Sequence, residues 1–247
     1  MTALTLTHAK FSTLELFRIP IAVVGSAFWP AATMLAFVVP FAGDDPVAST
    51  FATVSMITFA VMNTNLFQYG IGVSEDRAQP WDPYVRTLPA GATPRFLGRI
   101  LTGLLMMVFS LTPVVLIAAL FTEATVSPAA FVTAVAVCAL ISVPFILMGL
   151  SIGYSLPQKA ALVVAQILFL PLAFGGGLLT PPGGAPGFIE TLAPYLPTGG
   201  AARLMWWAAV DDFPFDLKAT LALLGWTVLF GILAVWAYRR DEGRRFG

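Results

Sequence analysis

The chain holds one cysteine, Cys138, and one histidine, His8, among 247 residues. A disulfide needs two thiols and a zinc site needs several clustered Cys, His or acidic ligands, so neither can be assembled from this set. Cys138 sits inside an apolar run and reads as a small packing residue. Charge is scarce too: 11% of residues are charged and 58% are hydrophobic, whereas a soluble domain carries roughly 25% charged residues. Gly175, Gly176 and Gly177 are not followed by the Lys-Ser/Thr pair of a phosphate-cradling loop, so the chain is not expected to bind ATP by itself. Apart from Lys218 at the very edge of the last run, the long apolar runs carry no Asp, Glu, Lys or Arg, the groups that ion- and proton-coupled carriers keep at membrane depth. No nucleophile–base pair suggests an intramembrane enzyme. A formal net charge of zero gives no reason to expect nucleic acid as a partner.

What the sequence has instead is apolar length. Six runs, at 20–41, 47–73, 100–121, 128–154, 160–179 and 217–238, are bounded by charges or by Pro, Gly and Asp clusters. Each is long enough to cross ~30 Å of hydrocarbon as a helix. Only helices and closed barrels satisfy their backbone in lipid, and barrel strands are ~10-residue alternating segments, which these runs are not. The expected fold is therefore an all-α integral membrane protein with six transmembrane helices. Of the 13 Lys and Arg residues, all but Arg203 and Lys218 fall on one side if the N-terminus is cytoplasmic. That bias places both termini inside, in a multi-pass protein of the cell membrane.

Three segments lie outside the spans. Residues 1–19 lack the continuous apolar core of a signal peptide. Phe11, Leu14, Phe17 and Ile21 recur at spacings of three and four, with Lys10, Thr13, Glu15 and Arg18 on other faces, as in an amphipathic helix lying on the cytoplasmic surface. The loop at 74–99 is charged but also carries Trp81, Tyr84, Val85, Leu88 and Phe96. Pro83 suits a first helical turn capped by Asp82, giving a short helix from Tyr84 to Leu88 that stops before Pro89. An aromatic-tipped helix held under a membrane reads as a docking element, or else Trp81 and Tyr84 anchor in the headgroup layer. Residues 180–216 are cut by six prolines into two possible helices, near Gly187 to Ala193 and Pro197 to Val210, too apolar for a water-exposed loop. Irregular backbone at membrane depth needs protein or a wet cavity around it, so this pair is expected to dip back into the outer leaflet against the bundle.

Polar groups within the spans are amides and hydroxyls. Asn65 and Gln68 can share one face of the second span, whereas Asn63 and Asn65 cannot, and Gln166 lies in the fifth. They serve either as interhelical hydrogen bonds or as the lining of a path. Gly149 and Gly153 form a small-xxx-small pair that permits close helix packing.

Taken together, these features resemble the permease subunits of ABC-2 type exporters. The most specific match is Pro171, Leu172, Phe174, Gly176, Pro181, Pro186, Phe188, Ile189, Pro194 and Pro197. Glu75, then Arg86, Thr87, Leu88 and Pro89, then Gly98 and Arg99, is similar to the family's coupling segment. It departs from the usual acidic-basic-acidic cluster at Ala78, Gln79, Pro80 and Trp81.

The resemblance implies a bacterial exporter half driven by two copies of a separate ABC ATP-binding subunit, which would carry the ATP and Mg. It also implies a second permease chain, identical or related, and a hydrophobic or amphipathic cargo as in the drug and antibiotic export branch; lipid or polysaccharide export is the nearest alternative. Coupling would involve Phe11, Leu14, Arg18, Glu75, Trp81, Asp82, Tyr84, Val85, Arg86 and Leu88. The gate and path would involve Asn65, Gln68, Gln166, Phe174, Gly175, Gly176 and Phe188, with the glycines as a flexible joint. A membrane assembly factor without transport of its own, or a small secondary carrier, are the rival classes.

Overall fold

The computed structural model describes residues 2–18, 20–80, 84, 93–180 and 182–246, with backbone alone at 20–23, 26, 93–96 and 243–246. Every regular element among them is helical. In chain order they are α1 (Thr2–Phe17), α2 (Pro20–Thr33), a π-helical segment (Met34–Val38), α3 (Val39–Ala42), α4 (Pro46–Ala78), α5 (Thr93–Phe121), α6 (Pro128–Ser155) and α7 (Gln158–Gly175). Then follow α8 (Gly187–Leu192), a 3-10 turn (Ala193–Tyr195), α9 (Pro197–Ala209) and α10 (Leu217–Phe246).

Five helices, α4, α5, α6, α7 and α10, are long and apolar enough to cross a membrane. The expected first span is helical from Pro20 to Ala42 but interrupted, and its described apolar part is the shorter Ala27–Ala42. Pro30 and Pro40 flank the π-helical segment; each lacks the N–H that would bond one turn back, and the backbone opens into a wider turn between them.

The boundaries follow from local chemistry. Asp45 caps α4: its Oδ1 accepts from the backbone N–H groups of Val47 and Ala48 at 2.8 and 3.0 Å, with Pro46 at the first helical position. Ser127 caps α6 in the same way, accepting from Ala130 N–H at 3.2 Å. The three glycines end α7. Leu178 N–H donates to Ala173 O and Gly177 N–H to Phe174 O, both at 3.0 Å, while Gly177 adopts φ +72°. That is the Schellman helix stop, and a left-handed residue there favours glycine.

Helix α4 is the hub. Its central window is 72% buried, while the other four long helices are 17–39% buried. Lipid-exposed helices need only one protein-facing stripe, and α5, α7 and α10 accordingly present rows of exposed Leu, Val, Ile and Phe. The tightest seam is α4 against α6. A Cβ on Gly149 would stand 2.8 Å from the Asn65 carbonyl oxygen, and one on Gly153 would stand 2.6 Å from the Tyr69 carbonyl oxygen and 2.7 Å from Val73 Cβ. The small-xxx-small pair thus brings the two backbones into direct contact, where van der Waals packing holds membrane helices together.

The expected helix pair between the fifth and last runs is present as α8 and α9, within a residue or so of the expected boundaries. Helix α9 lies inside the protein, with eleven of its thirteen residues buried. Trp206 is its anchor: Nε1 donates to Ser55 Oγ of α4 at 3.0 Å, and the ring meets Phe51 and Phe213 edge-on. Arg203 pairs with Asp216 at 3.2 Å, half-exposed.

Helix α1 does not seat through its expected apolar face. Thr5 is buried, His8 and Ala9 lie against Gly98, and Thr102 Oγ1 donates to Ala9 O at 3.3 Å. Phe17 meets Phe109 edge-on at 4.8 Å, while Phe11 and Leu14 are exposed. Small residues make the closer seat on α5, which turns the larger side chains outward.

Gly153→Leu should force α4 and α6 apart. We expect a loss of about 1–3 kcal/mol, the usual range for overpacking, read as a lower unfolding midpoint in detergent. Leu140→Ala, on the same helix but at an exposed position, should cost less.

Candidate functional site

A groove of about 1320 Å³ runs along the bundle between α2 and α7, with α4 as its floor. On α4 it touches Ala48, Ala52, Ser55, Phe59, Asn63, Phe67, Ile71 and Glu75, a stripe at spacings of three and four along most of the helix. At 1.5 Å rise per residue that stripe is roughly 40 Å long, the thickness of a bilayer with its headgroups. Walls come from Trp29, Thr33 and Phe37 on one side and Gln166, Leu170 and Phe174 on the other. Phe169 tilts onto Phe59 at 4.9 Å and meets Phe67 edge-on at 5.8 Å, closing the contact between α7 and the floor.

The lining is aromatic with scattered amides and hydroxyls. Glu75 is the only charged side chain among the described lining residues. Thr64 Oγ1 is buried with no hydrogen-bond partner among the described residues, and Thr64 lines the groove. Helical threonines usually bond the carbonyl one turn back, as Thr58 does to Val54 O at 3.0 Å.

The expected path residues divide. Gln68, Gln166 and Phe174 line the groove. Asn65 does not: it is buried, its Nδ2 donates to Val61 O at 2.9 Å, and its backbone faces Gly149 on α6. Asn63 takes the groove position, because the stripe advances by four from Phe59 and not through residue 65. No local signal in the sequence selects Asn63 over Asn65; the packing of α4 against Gly149 of α6 decides it. Gly175 and Gly176 abut the start of α9. A Cβ on Gly175 would stand 2.9 Å from Leu196 Cδ1, and one on Gly176 would overlap Thr198 Oγ1, which donates to Leu172 O at 2.6 Å. In this conformation they form a wedge-and-stop and not a free joint. Phe188 is exposed on α8, away from the groove lining.

Among the expected coupling residues, Trp81, Asp82, Val85, Arg86 and Leu88 lie outside the described residues. Tyr84 is described and exposed, as are Phe11, Leu14 and Arg18. Glu75 is exposed, and its Oε1 accepts from Gln158 Nε2 of α7 at 2.8 Å.

The two residues after Glu75 were not singled out in the sequence, yet they organise this end of the bundle. Successive helical residues point about 100° apart, so Glu75, Asp76 and Arg77 address different neighbours. Asp76 pairs with Arg99 of α5. Arg77 Nη2 meets Asp241 Oδ1 of α10 at 2.5 Å, and its Nη1 donates to Gly153 O and Leu156 O of α6 at 2.7 and 3.1 Å. The last carbonyls of α6 are the groups a helix leaves open at its C-terminus, and the guanidinium satisfies them. Asp241 is buried at 5% exposure, where a carboxylate is held by such pairing. Tyr154 and Tyr238 stack edge-on at 5.2 Å beside this cluster, and the Tyr238 hydroxyl donates to Glu242 at 2.5 Å.

A model of the ABC-2 type transporter family matches residues 4–199. The chain is also similar to the curated protein named "Putative transport permease YvfS" from Bacillus subtilis (strain 168), 25% identical over 191 residues that make up 76% of each chain.

Arg77→Ala should cost about 3 kcal/mol or more, since it removes the ion pair to the buried Asp241 carboxylate. It should cost more than Asp241→Asn, because it also orphans the α6 carbonyls. Paired unfolding curves of the two variants give the order; equal losses would mean that the α6 contacts carry nothing.

Proposed function

Because the chain belongs to the ABC-2 type transporter family, whose membrane domain is a subunit separate from the ATPase, we propose that it is one half of an ATP-driven exporter. In this reading it moves a hydrophobic or amphipathic molecule out of the cytoplasm or inner leaflet. The observation that carries the reading is the groove: a bilayer-long channel half, aromatic and amide-lined, open between two helices. Charge at its lining is confined among the described residues to Glu75 at one end. Such a wall suits a cargo with a large apolar body and a few hydrogen-bonding groups, as drugs and antibiotics have, better than a polyanionic chain.

The interrupted helix from Pro20 to Ala42 counts as the first of six spans, and α8 with α9 as a pair re-entering from the outside. Both termini are then cytoplasmic, as the Lys and Arg distribution requires. A half groove needs a second half, so two permease chains, identical or related, would face each other across it.

Two ATP-binding subunits, holding the ATP and Mg, would dock beneath. Tyr84 and the side chains of Phe11, Leu14 and Arg18 on α1 are exposed, and with the rest of the expected coupling segment they would be the surfaces offered to them. Force entering at residue 79 reaches α4 at once, because the segment is its direct continuation. The groove would open or close as α2 and α7 shift against that helix. At the far end α9, locked to α4 through Trp206 and Ser55, would govern the exit.

Co-expression with an ATP-binding subunit encoded beside it should give a complex in nanodiscs that hydrolyses ATP and exports substrate from proteoliposomes. Tyr84→Ala and Arg86→Ala should lower transport-coupled hydrolysis by tenfold or so, the scale of about 1.4 kcal/mol lost at a contact, with the unfolding midpoint unchanged. A permease that binds no ATPase, or a complex indifferent to both substitutions, would count against the exporter or the loop respectively.

A further inference from the structure

Helix α10 carries a second concavity, of about 720 Å³, on the face turned away from the bundle. Its protein-facing stripe is Ala219, Leu223, Ala234, Ala237 and Asp241, all buried. The opposite stripe runs Val228, Ile232, Val235, Trp236, Arg239 and Arg240, with the four apolar members 52–63% exposed. Gly231, lacking a side chain, leaves the hollow between them; its nearest neighbour outside the helix is Leu147 on the inner side, 3.8 Å from where a Cβ would sit.

Two features separate this stripe from the other exposed apolar faces. First, from Val228 to Arg239 it is roughly 16 Å long at 1.5 Å per residue, about half of a ~30 Å hydrocarbon core, so it spans one leaflet. Second, it ends in two guanidinium groups that pair with no carboxylate among the described residues. The nearby acids are already engaged, Asp241 with Arg77 and Glu242 with Tyr238. Arg240 is held over the Trp236 ring at 5.0 Å, which fixes its position at the level where tryptophan meets headgroups. An apolar track one leaflet long, topped by two guanidinium groups with no carboxylate partner among the described residues, is complementary to an acyl chain beneath a phosphate, which arginine binds through paired N–H donors.

We propose that this face of α10 is a binding site for an anionic phospholipid of the cytoplasmic leaflet, with Arg239 and Arg240 on the headgroup phosphate and the acyl chain along Val228, Ile232 and Val235. The proposal rests on the membrane orientation given above, and not on the cargo or on the ATPase.

The test is tryptophan quenching by brominated lipids. The full-length chain is reconstituted in phosphatidylcholine nanodiscs containing either brominated phosphatidylglycerol or brominated phosphatidylcholine. The signal of Trp236 is taken as the difference from Trp236→Phe. With each basic residue near an anionic surface contributing about a factor of five, the anionic lipid should be preferred on the order of tenfold or more.

Arg239→Gln with Arg240→Gln should bring the two lipids to parity while the unfolding midpoint stays put, because the substitutions leave the Arg77–Asp241 pair in place. Equal quenching of the unsubstituted protein by both lipids would overturn the proposal, and that comparison stands even if the double variant fails to fold. So would a preference that survives the double substitution, or one that inorganic phosphate abolishes and chloride at equal ionic strength does not. Quenching by neither lipid would also overturn it, showing the face covered by protein, as in contact with a second copy. None of these outcomes depends on whether the chain exports anything.

Discussion

A guanidinium at the end of a membrane-embedded bundle has few acceptors available, and Arg77 takes three of them at once: a carboxylate on α10 and two open carbonyls on α6. Each of those groups would be costly to bury alone. Together with Asp76 to Arg99 and Glu75 to Gln158, three consecutive residues tie the end of α4 to α5, α6, α7 and α10. The position of α4 at this end is therefore fixed by charge satisfaction, while the rest of its length is fixed by the glycine seam on α6. The remaining architecture hangs on a helix that cannot rotate or slide without breaking both.

The placement of the groove follows from that fixed helix. One side of α4 is spent on α6, where Gly149 and Gly153 meet it and Asn65 turns inward. The other side, advancing by three or four from Ala48 to Glu75, is left to α2 and α7, which touch it through aromatic rings and leave about 1320 Å³ between them. Base and groove differ in the kind of contact they use. Ion pairs and backbone acceptors are directional and hold one geometry, whereas apolar ring contacts tolerate sliding. A coupling loop continuous with α4 would thus act on a stiff core and move its looser walls.

Much of this was legible in the sequence for identifiable reasons. Long apolar runs bounded by charge gave five of the helices, and proline spacing in 180–216 gave α8 and α9 nearly to the residue, because proline leaves few places for a helix to begin. The break in the first run was less visible, since the π-helical segment depends on how Pro30 and Pro40 are accommodated together. Asn65 is favoured in the sequence because it can share a helix face with Gln68, yet nothing local says which face meets α6; the seam with Gly149 decides that. The glycines after Phe174 looked like a joint from composition, but Gly177 at positive φ and Gly176 against Thr198 are a matter of tertiary contact. Asp76 and Arg77 escaped notice for a similar reason: their partners lie 23 and 164 residues further along the chain.

A rigid base with mobile groove walls can be measured directly by spin-label distances in the permease bound to its ATP-binding subunit. One label pair, at Ile71 of α4 and Leu170 of α7, spans the groove; a second, at Ala78 of α4 and Ser155 of α6, spans the base. On adding ATP the separation across the groove should shift while that across the base stays unchanged. A base that moves as much as the groove, or a groove that stays still while ATP is bound, would contradict it.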